Sequence, residues 1–192
     1  MRENNGEIEL AKKEKDSSAL PNLIQYDSLK GDLQVHSKDT DGMMSIQDIA
    51  SAAKEKFGLE YIAITDHTKS LALAHGLDER RILDQANKIS ELNDKLKNHF
   101  KYNNKNNGSS VSGSNNFRIL SGAEVNIMKD GSLDIPNNIL DKLDVVGAAI
   151  HSNFAQPIEL QTDRLIKRLK TQALISYFIL LAGSLTKERG IR

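Results

Sequence analysis

The chain reads as an α/β protein built on a parallel sheet or barrel, and three observations point there. Four short β-type segments recur along it, Leu33-Gln34-Val35, Tyr61-Ile62-Ala63-Ile64-Thr65, Ile119-Leu120-Ser121-Gly122-Ala123 and Val145-Val146-Gly147-Ala148-Ala149-Ile150. A stretch with helical spacing separates the first two, and a parallel pair needs such a crossover. Each segment also ends in a side chain able to bind a metal or a proton: His36, Asp66-His67, Glu124 and His151. In parallel α/β folds the strand ends converge on one rim, where such enzymes keep their sites.

Size and composition narrow the classes. A length of 192 residues fits one domain or a piece of a larger one, and 39% hydrophobic with 27% charged residues allows a core and solubility together. The formal net charge of +0 gives no global attraction to nucleic acid or an anionic membrane surface. Cysteine is absent, so any metal rests on His, Asp, Glu and amide or water oxygen. The opening Met1-Arg2-Glu3-Asn4-Asn5-Gly6 carries no apolar targeting core, and the apolar run 173–182 is too short to span a bilayer. A cytoplasmic protein is expected, with no membrane partner.

Taken in order, residues 1–18 are polar, and Leu20-Pro21-Asn22-Leu23-Ile24 makes an extended approach to the first strand. In that strand alternate side chains share a face, so Gln34 and His36 point the same way. The Asp41-Gly42 turn brings a carboxylate back over the strand end. Ser45 then caps a helix in which Ile46, Ile49, Ala50, Ala53 and Phe57 share a face, and Gly58 stops it. A second amphipathic helix is expected over 78–96, on Ile82, Leu83, Ala86, Ile89, Leu92 and Leu96. The Asn/Ser/Gly-rich stretch up to residue 116 lacks core material and reads as a flexible insertion over 101–116. After the third strand, Asp130-Gly131 marks a turn and Pro136 opens a short helix through Leu140. The fourth strand is apolar throughout, as for a strand buried on both faces. A last helix follows over 158–169, with Leu160, Leu165, Ile166 and Leu169 apolar.

The motifs Gly31-Asp32-Leu33-Gln34-Val35-His36, Ile64-Thr65-Asp66-His67, Gly122-Ala123-Glu124-Val125, Asp130-Gly131-Ser132-Leu133-Asp134 and Ile150-His151-Ser152-Asn153-Phe154, in this order, resemble the polymerase and histidinol phosphatase (PHP) domain. More narrowly they are similar to the PHP domain at the C-terminal end of prokaryotic family X DNA polymerases. The resemblance implies a distorted, TIM-like (β/α)7 barrel, here incomplete and covering roughly the first half. It divides the chain into a lead-in at 1–26 like the end of a polymerase core, a partial PHP domain at 27–170 and an aberrant tail at 171–192. It implies up to three divalent metals, zinc or manganese, and cleavage of phosphodiesters at DNA 3′ ends by a 3′-5′ exonuclease in DNA repair. A small-molecule phosphatase of the histidinol-phosphate type and a catalytically silent fragment are the alternatives.

Carried over residue by residue, the resemblance makes His36, Asp41, His67, Glu124 and His151 the metal and catalytic residues, with Glu124 as the bridging carboxylate. Asp66 adjoins a ligand and is expected to orient it from behind. The family's first motif is His-x-His, and Gln34 stands where its first histidine belongs, a weak neutral ligand. Imidazoles and carboxylates suit Zn²⁺ or Mn²⁺, which activate water for attack on phosphorus. Lys69, Arg164, Lys167 and Arg168 are candidate phosphate holders, although charges on a helix mostly face solvent.

Past residue 170 the resemblance stops: the family's His-Pro-Thr-Gly-Arg segment and its late Asp-x-His pair are missing. Codons compatible with Phe178 through Arg189, read in another frame, spell His-Pro-Thr-Gly-Arg-Leu-Ile-Asp-Lys-Arg-Glu. A frameshift between about residues 169 and 174 is therefore expected, with a tail that folds at most as an opportunistic helix over an open sheet edge.

Overall fold

The computed structural model describes residues 6, 24, 28–106, 117–170 and 177–180. Five strands, β1 (Gly31–Val35), β2 (Tyr61–Ile64), β3 (Arg118–Asn126), β4 (Val145–Ala149) and β5 (Tyr177–Leu180), lie side by side in the order in which the chain makes them. Every neighbouring pair is parallel. Crossovers between parallel strands are right-handed as a rule, and where they always step the same way the connecting helices fall on one face. The strands can then hide their other face only by curling toward themselves, so the sheet is an arc compatible with part of an α/β barrel.

Helix α1 (Ile46–Ser51) starts at Ser45, whose Oγ accepts from the backbone N–H of Asp48 at 3.1 Å. It passes into a π-helical turn over Ala52–Lys56, and here the expectation for Phe57 fails. The wider turn shifts the phase of the helix, and Phe57 is left 65% exposed while Ile46, Ala50 and Ala53 stay buried. Helix α2 (Glu79–Asn106) is longer than its apolar stripe predicts. No Gly or Pro stands between Gly76 and Gly108, so residues 101–106, assigned to the insertion by composition, remain helical. The rest of that insertion, 107–116, lies outside the described residues.

Two apolar clusters hold the helices to the arc. One joins Ile46, Ala50, Ile62, Ile64, Ile89, Phe117 and Ile119. The other joins Leu77, Ile82, Val125, Ile127, Ile135, Leu140 and Val146. Ile82 and Ile89, two turns apart on one face of α2, tie the two together. On β3, Ala123 and Val125 belong to the core, which by the two-residue period sends Glu124 and Asn126 to the opposite, inner face. Gly122 permits the tight approach of the strands, since a Cβ there would lie 2.8 Å from the Val145 carbonyl oxygen.

Helix α3 (Asn137–Leu140) follows Pro136 as its cap, and α4 (Ile158–Lys170) departs from the sequence reading. Ile158, Leu160 and Ile166 are exposed, whereas Arg164 and Arg168 are buried. The Arg164 guanidinium donates to the backbone oxygens of Met128 and Ser152 at 2.8 and 3.0 Å, and to that of Ile127. It thus ties off the segments that follow β3 and β4.

In the tail, Tyr177–Leu180 is a strand in register with Val146–Ala149, which corrects the helix expected there. Aromatic and branched residues suit a pleated edge, and β4 offered an open ladder of N–H and C=O groups. Residues 171–176 and 181–192, with all but the first three residues of the expected shifted stretch, lie outside the described residues, as does nearly all of the lead-in at 1–26. Among the described residues no helix is long and apolar enough to cross a membrane.

Candidate metal centre

The C-terminal ends of β1 to β4 bring six of the seven sequence-predicted site residues together. β1 delivers Gln34 and His36, and the loop after it folds back through backbone bonds from Thr40 and Gly42 to the Ser37 oxygen at 3.1 and 2.9 Å. A Cβ at residue 42 would lie 2.2 Å from the His36 carbonyl oxygen, so this return requires glycine. It sets Asp41 Oδ1 3.0 Å from His36 Nδ1 and Asp41 Oδ2 3.5 Å from His67 Nε2.

Asp66, the seventh residue, is fully buried, and among the described residues its side-chain hydrogen bonds are with Ser37, Thr40 and Gln85. Its carboxylate accepts from the Ser37 backbone N–H at 2.7 Å and from the Ser37 hydroxyl at 2.6 Å. It also accepts from the Thr40 hydroxyl at 2.5 Å and the Gln85 amide at 2.6 Å. Its effect is therefore on the loop that carries Asp41.

Glu124, only 3% exposed, sits at the middle. Oε1 is 2.8 Å from His151 Nε2, and Oε2 is 3.0 Å from His36 Nε2 and 3.9 Å from His67 Nδ1. The His67 ring stands edge-on to both other imidazoles, with centroids 4.4 Å from His36 and 5.0 Å from His151. Burial pushes the Glu124 carboxyl up, but donation from His151 and His36 outweighs it and holds the group well below the usual carboxylate range. The same contact to Glu124, opposed by burial and aided by Asp41, raises His36 from 6.5 to about 9. Burial pushes the His67 imidazole down despite the nearby carboxylates. For Asp41, burial acts upward and the hydrogen bond to His36 prevails, leaving it low.

This donor set fits a divalent cation. Nitrogen and oxygen donors of His36, His67 and Glu124 lie within 4.8 Å of one another. His67 Nδ1 is buried without a hydrogen-bond partner, an arrangement that is costly unless something else satisfies that nitrogen. Gln34 stands differently. Its Oε1 accepts from the Thr65 hydroxyl at 3.3 Å, while Nε2 donates to Glu124 Oε2 at 2.5 Å and lies 3.0 Å from His36 Nε2. The amide presents its donor end to the cluster, so as it stands it is no ligand.

Asn126 and Asp134 border the site and were given no role by the sequence reading. His151 Nδ1 lies 2.7 Å from Asn126 Oδ1, and Asn126 is bonded in turn to Asp134 and Thr68. The signal was present, because Asn126 lies two residues beyond Glu124 on one strand and so shares its face. The candidate phosphate holders are engaged elsewhere. Lys69 pairs with Glu79, Lys167 donates to the Asp130 backbone oxygen at 2.7 Å, and Arg164 is spent on the backbone oxygens described above. His75 sits exposed in a left-handed turn, and nothing described places it at the site.

No family model matches the chain. Over 149 residues, 78% of its length, it is 39% identical to the DNA polymerase/3′-5′ exonuclease PolX of Bacillus subtilis (strain 168), of which the match covers 22%. Over 56 residues, 27% of the chain, it is 46% identical to a probable phosphatase of Thermoanaerobacter sp. (strain X514), covering 23% of that protein. A probable phosphatase of Caldanaerobacter subterraneus subsp. tengcongensis is 43% identical over 56 residues, again 27% of the chain and 22% of the relative. The chain thus spans under a quarter of the length of these relatives.

Proposed function

The chain belongs to the PHP-type domains of family X DNA polymerases, and from that premise we propose that it is a metal-dependent phosphoesterase hydrolysing phosphodiesters at DNA 3′ ends. The observation that carries this reading is the Glu124 carboxylate set between His36, His67 and His151, with the buried His67 Nδ1 left unpartnered. His36, His67 and His151 would hold a cation through ring nitrogens, and Asp41 and Glu124 through carboxylate oxygens. A bound Zn²⁺ or Mn²⁺ supplies charge against phosphate oxygens and lowers the pKa of water to about 7.

The protein's own part is positional. Glu124 stays anionic across the physiological range and gathers the three rings. Asp66 and Gly42 keep Asp41 over the strand end. DNA is the proposed partner, after the exonuclease relative from Bacillus, and the cytoplasm is the proposed location. A second reading, hydrolysis of small phosphomonoesters, is favoured by the two probable phosphatases.

Purified protein with Mn²⁺ is assayed on a 3′-ended oligonucleotide and on p-nitrophenyl phosphate. Release of nucleotides from the 3′ end, abolished by His67→Ala, is the expected result. Turnover of the monoester alone supports the second reading, and absence of both activities together with absence of metal uptake overturns each.

A further inference from the structure

We infer that Asn126, held by Asp134 and Thr68, is a positioning residue that locks the His151 ring with its proton on Nδ1 and its Nε2 turned to the cation site. The inference rests on the metal-site reading above and concerns what prepares one ligand for it.

The lock follows from which end of each polar group faces which. Asn126 is 3% exposed, so its amide must find its partners within the protein. The Nδ2 end lies 3.0 Å from Asp134 Oδ2 and 3.1 Å from Thr68 Oγ1. Asp134 is an acceptor only, and the Thr68 hydroxyl spends its own proton on Asp134 at 2.8 Å. Turning the amide over would press its oxygen against a carboxylate, so the observed orientation is the one the network allows.

Asn126 Oδ1 is thereby aimed at His151 Nδ1, 2.7 Å away. At that distance two lone pairs cannot face each other, so Nδ1 carries the proton. The other nitrogen, Nε2, lies 2.8 Å from Glu124 Oε1 and donates to it in the metal-free protein; with Nδ1 committed to Asn126, it is the nitrogen that gives up its proton when a cation binds. Asp134 is itself fixed by the backbone N–H groups of Ser70 and Asn126, each at 3.0 Å. A hydrogen-bonded chain thus runs from the segment after β2, through β3 and the turn beyond it, to the second residue after β4. It gives a role to the Asp130-Gly131-Ser132-Leu133-Asp134 motif. His36 and His67 have no such amide oxygen: carboxylates and the donor end of the Gln34 amide face His36, and His67 Nδ1 has no hydrogen-bond partner.

The test combines ¹⁵N NMR of the histidine side chains with calorimetric titration of Zn²⁺, on the full chain, on Asn126→Leu and on the double variant Asn126→Asp with Asp134→Asn. The wild type is expected to show a slowly exchanging His151 Nδ1–H proton with or without Zn²⁺. Asn126→Leu should lose that proton and bind Zn²⁺ about 10- to 100-fold more weakly, the effect typical of removing a partner of a ligating histidine. Asn126→Asp combined with Asp134→Asn exchanges donor and acceptor between these two side chains, keeps an acceptor for Nδ1–H, and should keep both proton and affinity.

A wild-type spectrum with no proton on His151 Nδ1, and one on Nε2 alone, overturns the lock without recourse to any variant. Equal Zn²⁺ affinity in wild type and a folded Asn126→Leu overturns it as well. Wild-type protein that shows the Nδ1–H proton but takes up no Zn²⁺ overturns the metal-site reading instead.

Discussion

Glu124 Oε2 and His36 Nε2 meet 3.0 Å apart although 88 residues separate them in the chain. One comes from the inner face of β3 and the other from the end of β1, with β2 between the two strands. The contact exists only because neighbouring strands are curled and in register, and it ties the protonation of one residue to the charge of the other.

Replacing Glu124 by Gln keeps the volume and removes the charge that gathers His36, His67 and His151. Zn²⁺ affinity should fall by at least about 100-fold, as for loss of a ligand together with its orienting contacts. Calorimetric titration measures it, and a variant that binds Zn²⁺ like wild type would refute the central place given to this carboxylate.

The metal-free protein should lose stability as pH rises from 7 to 10. His36 is raised from 6.5 to about 9, chiefly by its bond to Glu124. A raised group stabilises the fold fully below its unfolded value of 6.5, and this contribution disappears as pH climbs through about 9. His67, lowered by burial, and Glu124, lowered by its donors, both act at the acid end, where protonation costs the folded state. The alkaline loss is at most about 3 kcal/mol, because the ring is partly solvated and screened. Urea midpoints in chelator-containing buffers should show the decline for wild type and a flat profile for Glu124→Gln. A flat wild-type profile would contradict it.

Gln34→His should strengthen metal uptake. The present side chain turns an amide donor toward Glu124 and His36, whereas an imidazole there would offer a nitrogen lone pair to a cation. One additional equivalent of Zn²⁺ or Mn²⁺, or an affinity about tenfold higher, is expected from metal analysis after dialysis. Unchanged stoichiometry and affinity would mean that position 34 does not face the cation.

Asp66→Ala removes the acceptor of four donors in a fully buried place. Stranded donors cost about 1 to 3 kcal/mol each, partly recovered by relaxation, so a loss of about 3 to 5 kcal/mol is expected in urea denaturation. Zn²⁺ added to protein that remains folded should bind more weakly, since Asp41 loses its anchored loop. A loss below about 1 kcal/mol would show that other contacts hold residues 37–41.

Local patterns were legible where one strand or one turn decides the outcome. The alternation of β1 put Gln34 and His36 on one face, and Asp41-Gly42 announced the return of a carboxylate. Patterns misled where packing shifts the phase or where a polar group is buried by its partners. Phe57 keeps helical spacing on paper, yet the π turn over Ala52–Lys56 turns it outward. Arg164 reads as a solvated charge and is instead buried against backbone oxygens of residues distant in the chain.

What the sequence determined by itself is the alternation of helical and strand segments and the chemistry at each strand end, because periodicity and residue type are local properties. Tertiary structure alone decided that Glu124 is shared by three imidazoles, that Gln34 shows its donor end, and that Asn126 and Asp134 stand behind His151. Those facts depend on the register between strands and on which buried donor meets which acceptor, and contacts across 25 to 90 residues leave no periodic trace in the chain.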